Sequence, residues 1–264
     1  MQLPRTRYYL DIEPSYLLYT TFFTGLLLYS CPVFPQFPTA TFYPSIGTFA
    51  GMQQQVVYVQ DLGYRPYKPV WDFQENLLQQ AVGLKSKHYA DDPHQRPTTH
   101  HLLLVEHPPV YTLGKSGHVE NILISEGDMA RMGIEYYHIN RGGDITFHGP
   151  QQLVGYPILD LEKFFTDIGR YLRLLEEVII QTIAHFGIKG ERSAGETGVW
   201  IEADNPAKAR KICAMGVRTS RWVTMHGWAL NVNTDLSYFS HIIPCGIRDK
   251  QVTSMAAELG GPVD

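Results

Sequence analysis

A chain of 264 residues, 44% hydrophobic and 18% charged, can bury one large core or two modest ones and has the composition of a globular protein. Its formal net charge of −4 supplies no basic field for a phosphate backbone, which argues against nucleic acid as a partner; an acidic carrier protein would have to meet a local basic patch. Cys31, Cys213 and Cys245 make neither an even set nor a C-x-x-C pair, so no disulfide framework and no thiolate zinc site is expected; a reducing compartment with one reactive thiol fits best.

The chain opens unlike the rest of itself. From Pro14 to Gln60 there is no charged residue, and aromatic residues and prolines crowd Phe34 to Pro44. The apolar part, Tyr16 to Tyr29, is too short and too Thr-rich for a membrane span, and Asp11 and Glu13 spoil a signal-peptide n-region. The simplest reading takes Met52 as the true start, with residues 1–51 as upstream sequence read in frame or an unstructured extension, because domain patterning begins just after it.

Val56 to Val59 reads as a strand, and Val70, Phe73, Leu77, Leu78 and Val82 recur at helical spacing. Ala90 to Thr99 is a surface loop by composition, and His101 to Val105 a short apolar strand. Ser125 and Asp128 resemble a helix capping box, and Ile134 to Ile139 alternates as a strand does. The longest helix is expected where Ile168, Leu172, Leu175, Ile179, Ile183 and Phe186 make one stripe ending at Gly187. Gly198 to Ile201, Lys211 to Val217 and Val223 to Val232 read as strands, the last alternating Val223, Met225, Gly227 and Ala229 against mixed partners, and Thr253 caps a short final helix. Strands outnumber helices and do not alternate with them as β-α-β units, so the expected class is α/β with a mixed sheet and not a doubly wound nucleotide fold.

The densest group of chemistry-bearing residues runs Arg141, Gly142, Gly143, Asp144, Ile145, Thr146, Phe147, His148, Gly149, Pro150. Its glycines let a ligand approach the backbone, although a plain turn between strands explains the composition as well, and a lone histidine such as His148 is more often packed and hydrogen-bonded than a general base. Cys245, between Pro244 and Gly246, sits where a turn brings a sulfur to substrate, whereas Cys213 lies inside an apolar run and reads as structural. Lys211 precedes Ala214, Met215 and Gly216, small or pliant residues able to border an acyl chain. A thiol with a pKa near 8.5 needs a neighbouring cation to attack as thiolate, but spacing alone puts Lys211 nearer Cys213 than Cys245. Gly114-Lys115-Ser116 lacks the glycine a phosphate loop needs five residues earlier, where Pro109 stands, and His107, His118, His148 and His226 show no metal-ligand spacing, so no metal is expected.

Five motifs, in order, resemble the octanoyltransferases of lipoic acid synthesis, the LipB family, whose fold is shared with biotin and lipoate protein ligases. They are His107 to Gly114, Arg141 to Pro150, Lys211 to Gly216, Trp222 to Gly227 with Ala229 to Val232, and Ile243 to Ile247 with Val252 to Ser254. Gln151 departs from the pattern where the family carries glycine, a side chain at a position that needs positive φ. Residues 1–51 have no counterpart in the resemblance, so residues 52–264 are the expected catalytic domain.

The resemblance implies a single α/β (α+β) domain with a central mixed, largely antiparallel sheet flanked by helices. It implies that Cys245 carries the acyl group as a thioester, that Lys211 lowers its pKa and relays protons, and that 141–148, Ala214 to Gly216 and Gly227, Trp228 and Ala229 line the acyl and pantetheine-side pocket. It further implies a cytoplasmic, monomeric enzyme without cofactor, membrane or nucleic acid. The donor it implies is octanoyl-acyl carrier protein; the acceptors are lipoyl domains of 2-oxoacid dehydrogenases and the glycine cleavage H protein. Three rivals are weighed against these residues. An ATP-dependent lipoate or biotin ligase has no use for a nucleophilic cysteine, and the chain lacks a Gly-Arg-Gly-Arg stretch; a non-catalytic acyl-binding module has no use for Lys211 with Cys245. A cysteine hydrolase would want a histidine base that nothing pairs with Cys245.

Overall fold

The computed structural model describes residues 55–87, 92, 97–244 and 251–264. The N-terminal stretch with Met52, most of the Ala90 to Thr99 loop, and Cys245 with the five residues after it lie outside the described residues. In chain order the elements are β1 (Val57–Tyr64), α1 (Tyr67–Lys87), β2 (His100–Glu106), β3 (Val110–Leu113), α2 (Glu126–Arg131), β4 (Glu135–His138) and β5 (Ile145–His148). There follow β6 (Gln152–Ile158), α3 (Ile168–Ala184), β7 (Val199–Ile201), β8 (Arg210–Ser220), β9 (Val223–Asn231), β10 (Gln251–Val252) and α4 (Met255–Leu259).

Among the described residues the main sheet runs β1-β2-β6-β9-β8-β10, with β7 also on β8. Its outer pairs, β1 with β2 and β10 with β8, are parallel, and the pairs between them are antiparallel. A small second sheet, β4-β3-β5, stands beside it.

The sheet is covered on both faces, which is why β2 reads as a continuous apolar run. Leu102 and Leu104 pack with Tyr171, Leu175, Ile179 and Ile183 of α3, while Leu103 and Val105 pack with Val70, Leu78 and Ala81 of α1. The same alternation divides β9: Trp228 and Leu230 face α3, while Met225 and Ala229 face α1. All nine residues of β9 are buried, so the half-polar strand expected there is in fact two-sided.

Three expectations are corrected. The longest helix is α1 with 21 residues, against 17 in α3, because the buried stripe Tyr67, Val70, Gln74, Leu78, Ala81, Lys85 contains polar members that weaken its apolar periodicity. The final helix is capped by Ser254, whose side chain accepts from Ala257 N–H, and not by Thr253. The central strand β6 was not expected at all, since Gly155 and Pro157 punctuate it. Pro157 fits because the β6–β9 pairing ends at Gly155, so its missing N–H deletes no rung toward β9. Ser125 caps α2 as expected, accepting from Asp128 N–H at 3.1 Å.

Candidate active site

The register of β8 on β9 brings together two sequence-distant triplets. Ala214 opposes Ala229, Met215 opposes Trp228 and Gly216 opposes Gly227, so six expected site residues form one patch of sheet. That patch is the floor of a cavity of about 480 Å³, within the range of small-molecule pockets. Ile168 and Leu172 of α3 also line it, as do Glu196 and Thr197 of the segment before β7.

The loop Arg141 to Asp144 forms another wall. Gly142 N–H donates to Val217 carbonyl at 3.0 Å, and a Cβ on Gly216 would stand 2.7 Å from the Gly142 carbonyl, so loop and strand meet backbone to backbone. The Gly114–Lys115–Ser116 segment has a structural role: Gly114, Lys115 and Ser116 N–H groups donate to the carbonyls of Asp144, Arg141 and Gly143. Asp144 locks the loop from its own side chain, accepting from Ile145 N–H, His118 N–H and Asn121 Nδ2. Arg141 is buried, its guanidinium donating to the Thr112 carbonyl at 2.7 Å and to Thr112 Oγ1 at 3.1 Å.

Ile145, Thr146 and His148 reach the cavity, but Phe147 does not. Its ring stacks on Tyr238 at 4.6 Å and packs with Tyr111 and Phe239 in the core of the small sheet. Placing Phe147 over an acyl chain is therefore corrected: on β5 it projects opposite to Thr146 and His148, into the small-sheet core that it shares with Ile145, and of these two only Ile145 also borders the cavity.

Polar side chains that sequence reasoning missed gather at the end of the cavity near Arg141. Tyr67, Tyr156 and His226 line it there, and Gln152 and Asn231, opposed on β6 and β9, line it further along the sheet. His148 Nδ1 bonds Gln152 Oε1 at 2.9 Å, and its ring stacks on Tyr67. His107 Nδ1 bonds the Arg65 carbonyl at 2.7 Å and so carries the proton, leaving Nε2 to accept from Tyr156 O–H at 2.8 Å. Burial lowers the histidines: to about 4 for His107, and to about 3 for His148 and His226, where the Arg141 cation pushes the same way. Burial raises the Tyr67 and Tyr156 hydroxyls. These histidines are held neutral near pH 7 and are packed, hydrogen-bonded groups. A detectable signal existed: Gln152, His226 and Asn231 are polar residues at positions of otherwise apolar strands.

Lys211 stands at the other end. Its ammonium lies 4.6 Å from the centre of the Trp200 ring, a cation–π contact, and the side chain lines the cavity. The approach depends on Gly198, whose φ is +124° and whose added Cβ would stand 2.6 Å from the Cys213 carbonyl and 3.4 Å from Lys211 Cε. Gly198 N–H donates to the buried carboxylate of Glu176 at 3.0 Å, which also takes Arg173 and Arg192. Cys213, two residues along from Lys211, is fully buried in the core and does not line the cavity. Burial pushes its thiol up against the smaller opposing pull of Lys211. Cys245 lies outside the described residues; Pro244, which precedes it in the chain, and Val252 both line the cavity with Lys211. Gln151 has φ 59°, the left-handed backbone that the missing glycine implied, and its N–H donates to Glu106 Oε2 at 2.6 Å.

Among the described residues no group of three or more His, Cys, Asp or Glu side chains could hold a metal ion.

A mixed sheet of this order, with a largely apolar cavity of small-molecule size and a lysine on its floor strand, defines an α/β fold built around a ligand site. The model of the lipoyl protein ligase A/B catalytic domain matches residues 66–264, and the chain belongs to that family. A protein of Christiangramia forsetii named octanoyltransferase is 60% identical over 204 residues, 77% of this chain and 86% of its own length. One of Flavobacterium johnsoniae with the same name is 61% identical over 204 residues, covering 77% and 87%. Among solved structures, P. falciparum LipL1 in complex with lipoate aligns with a TM-score of 0.55 at 12% identity over 79% of this chain and 55% of its own. Protein Ta0514 of T. acidophilum with bound lipoic acid gives 0.53 at 14% identity over 78% of each chain. At such identities these two speak for the fold alone.

Proposed function

We propose that the protein transfers an octanoyl group from octanoyl-acyl carrier protein to a lysine of lipoyl domains, those of 2-oxoacid dehydrogenases and the glycine cleavage H protein, through a thioester on Cys245. The observation that carries this reading is the cavity itself: a floor of Ala214, Met215, Gly216, Gly227, Trp228 and Ala229, with Lys211 at one end. Its support is the high identity to proteins named octanoyltransferase.

In the first half-reaction the Cys245 thiolate attacks the carbonyl carbon of the octanoyl thioester, and the pantetheine sulfur leaves. That sulfur must gain a proton, and the ammonium of Lys211 is the donor in reach of the cavity. In the second, the acceptor lysine must lose a proton before its amine attacks the enzyme thioester, and Lys211, by then an amine, takes it. Cys245 leaves as thiolate beside a cation, the condition under which a thiolate persists. The thioester supplies the driving force for the amide, so no ATP is consumed. The buried neutral histidines at the far end take no part in these transfers.

No helix among the described residues is long and apolar enough to cross a membrane. We place the enzyme in the cytoplasm as a monomer that meets its two carriers in turn.

The test is intact mass after incubation with octanoyl-acyl carrier protein alone, for the wild type and for Cys245→Ala, Cys213→Ala and Lys211→Ala. The expected result is one octanoyl adduct, lost with Cys245→Ala, retained with Cys213→Ala and discharged by a lipoyl domain. An active protein that forms no adduct and consumes ATP is instead a ligase.

A further inference from the structure

Trp228 forms the part of the cavity floor that has least beneath it. On β9 it opposes Met215 of β8 on one side and Gly155 of β6 on the other. A Cβ built on Gly155 would stand 2.2 Å from both Cε2 and Cζ2 of the indole and 2.7 Å from Nε1, so the ring lies flat against the Gly155 backbone. The strands themselves are close here, since a Cβ on Gly227 would stand 2.2 Å from the Gly155 carbonyl oxygen. Trp228 lines the cavity and Gly155 does not. Directly opposed residues of an antiparallel pair project from the same face, so the ring has peptide backbone below and the cavity above. Among the described residues no hydrogen bond pins it, because its buried Nε1 has no partner. Packing alone sets its height.

The ring also lies at the right distance. Met215, which opposes Trp228, is four residues from Lys211 on β8, about 13 Å at the rise of an extended strand. A saturated chain advances about 1.3 Å per carbon for C–C bonds near 1.5 Å, so eight carbons reach about 10 Å. An acyl chain with its carbonyl beside the Lys211 side chain and running along β8 would span most of that distance, which brings its end into the neighbourhood of the indole.

We infer that Gly155, a residue that touches no substrate, sets the acyl chain length the cavity accepts by letting Trp228 lie at its lowest position. The inference rests on the cavity holding the acyl group, as the transfer reading has it. A methyl on Gly155 must push the ring from 2.2 Å to ordinary contact near 3.4 Å, a shift of about one methylene, and the free direction is into the cavity.

The experiment measures transfer to a lipoyl domain from hexanoyl-, octanoyl- and decanoyl-acyl carrier protein, and binding of free hexanoate, octanoate and decanoate by calorimetry, for wild type, Gly155→Ala and Trp228→Leu. Gly155→Ala is expected to raise the hexanoyl-to-octanoyl ratio of kcat/KM about 10-fold, the usual worth of a methylene in a tight apolar pocket. Trp228→Leu, which lowers the floor, is expected to shift the preference toward decanoyl, and it tests the wall even if Gly155→Ala folds poorly. The fatty acids should follow the same order. Parallel loss at every chain length in Gly155→Ala, with an unchanged preference in Trp228→Leu, overturns the assignment. A wild type that binds octanoate but acylates no lipoyl domain overturns the transfer reading instead, and the calorimetric order then still decides whether Gly155 sets length.

Discussion

The two ends of the cavity handle charge in opposite ways. At the Arg141 end, His148 and His226 are buried beside one guanidinium, with His107 buried behind His148, and all three are held neutral. At the other end Lys211 Nζ lies over the face of Trp200, 4.6 Å from the ring centre, in a cation–π contact. One end is therefore silent to proton transfer near neutral pH, and the other carries the side chain to which the transfer reading assigns the protons. Composition would have favoured the reverse, since the histidines are the residues that ordinarily titrate near pH 7.

The sharpest way to break this comparison is acid. A histidine held neutral in the fold has its folded pKa, about 3 or 4 here, below its unfolded value of 6.5. The unfolded chain then takes up protons first as pH falls, so stability present above pH 6.5 is lost progressively toward the folded pKa. For three such groups the loss between pH 7 and pH 5 is roughly 5 kcal/mol. Urea titrations at the two pH values should show it, and a midpoint that does not move would mean the histidines are solvated.

Next in size is Lys211→Ala, expected to slow acyl transfer by at least about 100-fold, the usual worth of a positioned proton-handling group. It should leave the thermal midpoint nearly unchanged, because the side chain lies along the cavity. A loss of folding in place of turnover would move Lys211 from chemistry to structure.

Glu176→Ala sharpens the same end from behind. It strands the buried Gly198 N–H and takes one carboxylate from Arg173 and Arg192, of which Arg192 keeps Glu177; a buried donor left without its acceptor costs about 1–3 kcal/mol. Chemical denaturation should show that loss, together with a slower transfer as the Gly198 backbone relaxes away from Lys211. Unaltered kinetics in the folded variant would uncouple Glu176 from Lys211.

The smallest effect concerns neither end. Gln151→Gly should stabilise by about 0.5–1 kcal/mol, since only glycine adopts φ 59° without strain, and the measured thermal midpoint should rise slightly. A fall would mean that the Gln151 side chain contributes more than its backbone costs.

Much of the molecule was legible in its residues. The α1 and α3 stripes, the Ser125 cap, the strands β2, β8 and β9, and the inertness of Cys213 follow from periodicity and local chemistry. The left-handed turn at Gln151 could be read from a departure within a motif. What escaped is long-range in cause: β6 carries Gly155 and Pro157, residues that end a strand by local rules; Pro157 is tolerated because the pairing with β9 stops at Gly155, and Gly155 is required because the Trp228 ring lies against it. Phe147 was misplaced because strand alternation is visible locally while the direction of the cavity is not.

By itself the sequence determined which residue types could do chemistry, namely a lysine before a run of small residues, a cysteine between proline and glycine, and a pair of glycines after a cation. The tertiary structure decided which of them share a space. Register between β8 and β9 is set by long-range pairing that no local propensity encodes, and it alone joins Ala214 to Ala229 and Gly216 to Gly227 into one floor. Burial likewise decided the state of each titratable group, because desolvation depends on everything packed around a side chain and not on its neighbours in the chain.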